Sequence, residues 1–282
     1  MPIHGYNISN TMGNGNIPYG YIFNPAATSW ADVVPKLGFL LRTTRPKVLR
    51  MILWHAERDP EYTPWLHIPV SEEEVKRICG VVGIVKLISP ETRVRLVNGP
   101  LWEALPWLNE QLKEPIHPNN PFETAEELSG AMTSSIRNIV NGLDDESMES
   151  VEFDLWNEFD FSTQPQNAEV MRLYYPAVSE FLSSKEIPYT VSTIMDTDGS
   201  IIRADKTYDF LMTMDNFRYL SFLEVHMNGI LESKWKLANL NLCVLQRKYQ
   251  RNISIGEIDV ETTMEQEQEL TPNNISDIIY WR

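Results

Sequence analysis

Two glutamates stand where strands should end. Val151-Glu152-Phe153-Asp154-Leu155-Trp156 reads as an alternating strand that stops at Asn157-Glu158, a polar pair beside aromatics. Ile253-Ser254-Ile255-Gly256-Glu257 has the same shape, a short apolar strand closing on an acid. A carboxyl at the carboxyl end of a buried strand contributes little to a core, but it is well placed at the mouth of a barrel. Two such groups, far apart in sequence, suggest a pair working on one bond.

The elements that must position them follow from periodicity and punctuation. Strands are expected at Ile3–Ser9, Val48–Trp54, Thr92–Gly99, Val151–Trp156, Tyr189–Met195, Tyr219–His226, Asn252–Glu257 and Ile275–Trp281. Helices are expected from Ser29 to about Arg42, from Ser71 to about Leu87, and over about 124–143, 167–185 and 231–250. Ser29 and Ser71 serve as caps, and Ser71 with Glu74 has the spacing of a capping box. Eight strands alternating with helices or helix-length stretches imply a parallel sheet. They imply an α/β fold, a (β/α)8 barrel occupying residues 1–282 as one domain; 282 residues suit a fold that typically needs ~250. The usual last helix would be missing, since the chain stops just after the eighth strand.

Composition narrows the partners. A net charge of −15, spread along the chain, argues against nucleic acid and against an anionic membrane, which both attract a basic face. It suits a neutral substrate such as a sugar. No apolar run is long enough to span a bilayer. Met1-Pro2-Ile3-His4-Gly5 lacks the layout of a signal peptide, leaving either a cytoplasmic place or export by another route. Cys79 and Cys243 have no metal-ligand spacing around them and are expected to be two buried free thiols, with one long-range disulfide as the alternative.

The strand ends resemble those of clan A glycoside hydrolases, the cellulase-like retaining enzymes. Asn157-Glu158 on the fourth strand looks like that clan's acid/base motif, and Gly256-Glu257 on the seventh looks like its nucleophile motif. Arg50 on the second strand resembles the arginine that keeps the nucleophile ionised. His226 on the sixth resembles the histidine near the acid/base, and Trp281 on the eighth resembles the aromatic floor beneath the sugar. Two positions depart from the pattern: Phe159 stands where proline usually follows the acid/base, and His226-Met227-Asn228 replaces His-x-Tyr.

The resemblance implies hydrolysis of β-glycosidic bonds in an oligo- or polysaccharide, with no metal and no cofactor. Cleavage through an oxocarbenium-like state needs one protonated and one ionised carboxyl, so their environments must split the two pKa values. Arg50 would favour the charge of Glu257, while Trp156, Phe159, Asp154 and Asp160 would raise the pKa of Glu158. Asn157 would bond the sugar 2-hydroxyl, and Trp65, Trp102 and Trp107 would offer stacking faces. A carboxyl separation of about 5–5.5 Å would mean retention, and ~6.5–9.5 Å inversion. Glu224 and Asp259 are set aside as facing away from their neighbours by strand alternation.

Two other functions fit the same barrel. Glu158, Asp196, His226 and Glu257 close successive strands, as in divalent-metal sugar isomerases and epimerases, where oxygen and imidazole ligands would suit Mn²⁺ or Mg²⁺. Phe159 and Asn228 would also suit a catalytically inactive carbohydrate-binding or structural barrel.

Overall fold

The computed structural model describes residues 3–8, 21–23, 25, 28–53, 66–98, 122, 124–162, 167–259 and 275–281. Nine strands form one parallel sheet: β1 (Ile3–Ile8), β2 (Val48–Ile52), β3 (Arg93–Val97), β4 (Val151–Asp154), β5 (Tyr189–Thr190), β6 (Ser192–Ile194), β7 (Leu223–His226), β8 (Ile253–Asp259) and β9 (Ile275–Trp281). Their order is β5-β4-β3-β2-β1-β9-β8-β7-β6. The two edges are therefore halves of one extended segment, broken only at Val191. β5 pairs with β4 through Phe153↔Tyr189, and β6 pairs with β7 through Ser192↔Glu224. The sheet runs round on itself, and the expected (β/α)8 barrel has eight staves with the fifth split.

Helices α1 (Trp30–Thr44), α2 (Glu72–Ile88), α3 (Ala125–Gly142), α4 (Asp145–Met148), α5 (Asn167–Ser184), α6 (Ile202–Met212) and α7 (Trp235–Tyr249) connect the strands. Three of them start in reciprocal capping boxes, Ser29 with Asp32, Ser71 with Glu74 and Thr124 with Glu127. Each box satisfies two amide donors that the first turn leaves open. Among the described residues no helix is long and apolar enough to cross a membrane.

Three local expectations need correction. The strand expected from Tyr219 begins only at Leu223, because Asp215–Tyr219 is a 3-10 helix. α6 was not foreseen. Cys79 and Cys243 are unbridged but half-buried rather than buried.

Alternation along the staves separates two layers. Leu49, Met51, Val94, Leu96, Val151, Phe153, Leu223, Val225, Ile253 and Ile255 join the apolar core that the helices cover. The intervening residues, Arg50, Arg95, Glu152, Asp154, Glu224, His226 and Ser254, are buried inside the barrel and bonded to one another. A barrel lumen is ordinarily filled by branched apolar side chains. This one is filled with charge.

Candidate active site

β4 ends at Asp154, and the turn that follows is stitched to both neighbours. Asn157 N donates to Asn98 O (2.8 Å), Glu158 N to Ser192 Oγ (3.0 Å) and Phe159 N to Ser192 O (2.9 Å). Trp156 and Phe159, both buried, pack edge to face with ring centroids 5.8 Å apart. They anchor the backbone on either side of Glu158, so the aromatic in place of the usual proline serves packing. Glu158 itself has φ 57°, left-handed for a residue with a Cβ. Arg45 and Gln250, which share that region, are helix C-caps, and Glu186 follows the last turn of α5. Glu158 alone of these four ends a stave, and backbone strain of this kind gathers at functional positions. Its side chain stays 38% exposed while Oε1 lies 2.9 Å from His226 Nδ1.

Behind this pair lies Arg50. Its Nε donates to Glu224 Oε1 (3.1 Å), and its Nη2 donates to Asp154 Oδ2 (3.0 Å) and Asn157 Oδ1 (2.5 Å), with His226 Nε2 at 3.3 Å. Asp154, Glu224 and His226 are close enough together to share one cation. The cation among them is the guanidinium of Arg50, which contacts all three. Asp196, proposed above as a metal ligand, is paired instead with Arg203 at 3.4 Å.

A second arginine holds the layer beneath. Arg95 donates to Glu152 Oε1 (2.7 Å), Glu224 Oε2 (3.0 Å) and Ser254 Oγ (2.8 Å), and Arg93 supports Glu152 Oε2 from the rim at 2.8 Å. Glu224 thus joins the two layers, one oxygen to each arginine. A buried ion is tolerable only when paired and fully bonded, and these are.

The pKa values follow from this wiring. Burial, with the Glu224 charge beside it, pushes Asp154 up to about 6. Burial acts the same way on Glu224, but Arg95, His226 and Arg50 outweigh it and bring that carboxyl down to about 2. Burial also pushes Glu158 up, but the His226 bond and the charges of Arg50 and Arg203 prevail, leaving it below its ordinary value. The expected rise is therefore overturned. The two acids invoked for it are neutralised by cations of their own, Asp154 by Arg50 and Asp160 by Arg203 at 2.6 Å.

Glu158, Asn157, Arg50 and His226 are thus brought together. Glu257 is the register partner of His226 across β7 and β8, and Trp281 pairs with Asn7 and Asp259. The side chains of Glu257 and Trp281 lie outside the described residues, as do Trp65, Trp102 and Trp107 altogether. Glu224, set aside above, does turn away from Leu223 and Val225, but that puts it on the same face as His226 and in contact with Arg50. Asp154, Arg95 and Glu152 were passed over as site residues. Their signal was available, a charge at every second position of otherwise apolar strands, with Arg50, Arg95 and Glu152 in one register.

No protein-family profile and no curated relative matches the sequence. Solved structures do resemble the fold. An endo-1,4-beta-mannanase from Rhizomucor miehei superposes with a TM-score of 0.63 at 11% identity, over 100% of this chain and 86% of that one. Endo-glycoceramidase II from Rhodococcus sp., solved as a lactosyl-enzyme intermediate, gives 0.60 at 12% identity over 100% and 72%. TsXylA, an intracellular xylanase from Thermoanaerobacterium saccharolyticum, gives 0.56 at 12% identity over 99% and 85%. The likeness to clan A glycoside hydrolases, drawn first from short motifs, extends to the whole barrel fold.

Proposed function

We propose that this chain is a retaining glycoside hydrolase acting on β-linked sugars, with Glu158 as acid/base and Glu257 as nucleophile. The observation that carries the reading is the position of His226. Its ring contacts the half-exposed carboxyl of Glu158, and its backbone neighbours Glu257 in the adjacent stave. Adjacent strands lie about 4.8 Å apart, so the backbone of Glu257 comes near the histidine that Glu158 contacts, which supports the pairing of the two acids. The lactosyl-enzyme intermediate of the endo-glycoceramidase is the kind of covalent species that a retaining mechanism forms.

In the first step Glu158 gives its proton to the leaving oxygen while Glu257 attacks the anomeric carbon. In the second, Glu158 takes a proton from water, which displaces Glu257. Only the protonated form of Glu158 starts the cycle, and its carboxyl is held low. Turnover should therefore be best on the acid side, with kcat/KM falling as pH rises through that pKa.

The test is replacement of each acid. Glu158→Ala and Glu257→Ala should each abolish sugar release from β-aryl glycosides and β-linked polysaccharides while the urea midpoint stays near that of the parent chain. Full activity in either variant rejects the assignment. An intact chain inert toward a broad panel of such substrates would leave a carbohydrate-binding barrel in its place.

A further inference from the structure

We infer that Glu224 is a positioning residue for the acid/base: by holding the Arg50 guanidinium against Nε2 of His226, it fixes the imidazole as the Nδ1–H donor to Glu158 Oε1 and reserves Oε2 for the transferable proton. The inference rests on the assignment of Glu158 as acid/base.

The argument is one of donors and acceptors. An arginine has only N–H donors, so a nitrogen facing it must offer a lone pair. His226 Nε2 lies 3.3 Å from Arg50 Nη2, whose hydrogens also serve Asp154 Oδ2 and Asn157 Oδ1, and a hydrogen on Nε2 would face the guanidinium rather than an acceptor. Glu224 Oε1 lies 3.6 Å from Nε2, longer than a formed hydrogen bond and close enough only for the attraction that helps to hold that carboxyl low. That oxygen already accepts from Arg50 Nε at 3.1 Å, and its partner Oε2 accepts from Arg95 Nη1 at 3.0 Å. The neutral imidazole therefore carries its hydrogen on Nδ1, 2.9 Å from Glu158 Oε1. Because Nδ1 donates in both states of the cycle, Oε1 is always an acceptor. The proton that Glu158 gains and gives sits on Oε2.

Among the described residues, charged groups from several elements enter this balance. His226 faces Glu158 and Asp154 from β4 and its turn, Arg50 from β2 and Glu224 on its own strand, with Glu257 as its register neighbour on β8. Arg203 from α6 acts on Glu158 as well.

A second observation comes from the neighbouring strand. A Cβ built on Gly256 would fall 2.0 Å from Glu224 Oε1 and 2.6 Å from its carboxyl carbon. The residue before Glu257 is thus a glycine because the Glu224 carboxylate occupies the space a side chain would take. The Gly-Glu pair on β8 and the Glu-Val-His run on β7 are fitted to each other.

The experiment uses the full chain labelled with ¹⁵N on histidine, with His226 assigned against a His226→Gln variant. In the parent chain the signal should be that of a neutral Nδ1–H tautomer. In Glu224→Gln, where an amide cannot accept from both arginines, the Nε2–H form should become populated. kcat should fall on the order of a hundredfold, as expected for a mispositioned catalytic group, with KM little changed. The alkaline limb of kcat/KM should move to higher pH, because Glu158 loses its donor. Loss of a nearby negative charge alone would move that limb to lower pH, and such a shift overturns the inference. So does an Nε2–H tautomer in the parent chain, or an unchanged tautomer in the variant. Gly256→Ala keeps every charge and pushes first on the Glu224 carboxylate, so it should reproduce the tautomer change if Glu224→Gln fails to fold; an Nδ1–H signal unchanged in Gly256→Ala would sink the idea. The tautomer is read without substrate. Failure of the hydrolase assignment would show as an inert parent chain, whatever the nitrogen spectrum says.

Discussion

On the helix side of β2, β3, β4 and β7 stand Leu49, Met51, Val94, Leu96, Val151, Phe153, Leu223 and Val225; on the lumen side of the same strands stand Arg50, Arg95, Glu152, Asp154, Glu224 and His226. Both sets are buried, yet they stabilise the fold by different physics. The outer set works through area, about 25 cal/mol for each Å² of apolar surface removed from water, and tolerates exchange among residues of similar volume. The inner set has no such latitude. Each ion there is costly to bury and is compensated only by partners at hydrogen-bond distance, so removing one leaves another exposed to the full penalty. The outer layer therefore holds the barrel together, and the inner one aims particular atoms.

The sharpest way to break this contrast is to remove the lower arginine. Arg95→Met keeps much of the side chain but leaves Glu224 with one arginine and Glu152 with only the rim-exposed Arg93. The expected loss, read from urea unfolding, is about 3–5 kcal/mol. Ile136→Val, a buried change on α3 in the outer layer, should cost only about 1 kcal/mol. Equal costs would mean that the lumen is not held by charge pairing.

How much of this was legible in the sequence also divides along the two layers. Two of the helices that start in capping boxes were found because Ser29 and Ser71 announce them. α6 escaped because it begins after Ile201 with no side-chain cap. Tyr219-Leu220-Ser221-Phe222 alternates like a strand, but Tyr219 closes a 3-10 turn and the pairing with β8 starts at Leu223. In the lumen, Arg50, Asn157, Glu158 and His226 could be picked because each ends or interrupts a strand. Glu224 could not be recognised by asking which way it faces relative to its neighbours. It required asking which residue shares its face, and His226, two positions on, does.

pH separates the layers next. Asp154 has a folded-state pKa near 6, against about 3.9 for an unfolded aspartate. The native state thus binds the extra proton between those values, and stability is full below about pH 4 and lost as pH rises through 6. Glu224 has the opposite sign. Held near 2, its contribution is present above about pH 4.3 and is lost only as pH falls through the folded value. Between pH 4 and 7 Asp154 governs, and the unfolding free energy read from urea titrations should decline over that window by on the order of 2 kcal/mol. Asp154→Asn should lower stability at both ends and remove the decline between them. Ile136→Val should shift both ends equally. A decline that persists in Asp154→Asn would assign the titration to another group.

The smallest effect contrasts two glycines. Gly256 borders the lumen, where a Cβ would strike the Glu224 carboxylate. Gly130 lies within α3, and a Cβ there meets nothing within 4 Å. Glycine in a helix interior is less favourable than alanine by roughly 0.5–1 kcal/mol, largely through the freedom it has in the unfolded chain. Gly130→Ala should therefore raise stability by about that amount, with no change in sugar release, because Gly130 lies on the exposed side of α3. Gly256→Ala adds the same methyl and removes the same unfolded-state freedom, so the unfolded-chain gain is matched and any difference between the variants reports the folded environment alone. If both alanines prove harmless, the Glu224 carboxylate is free to move aside, and the lumen is as forgiving as the outer layer.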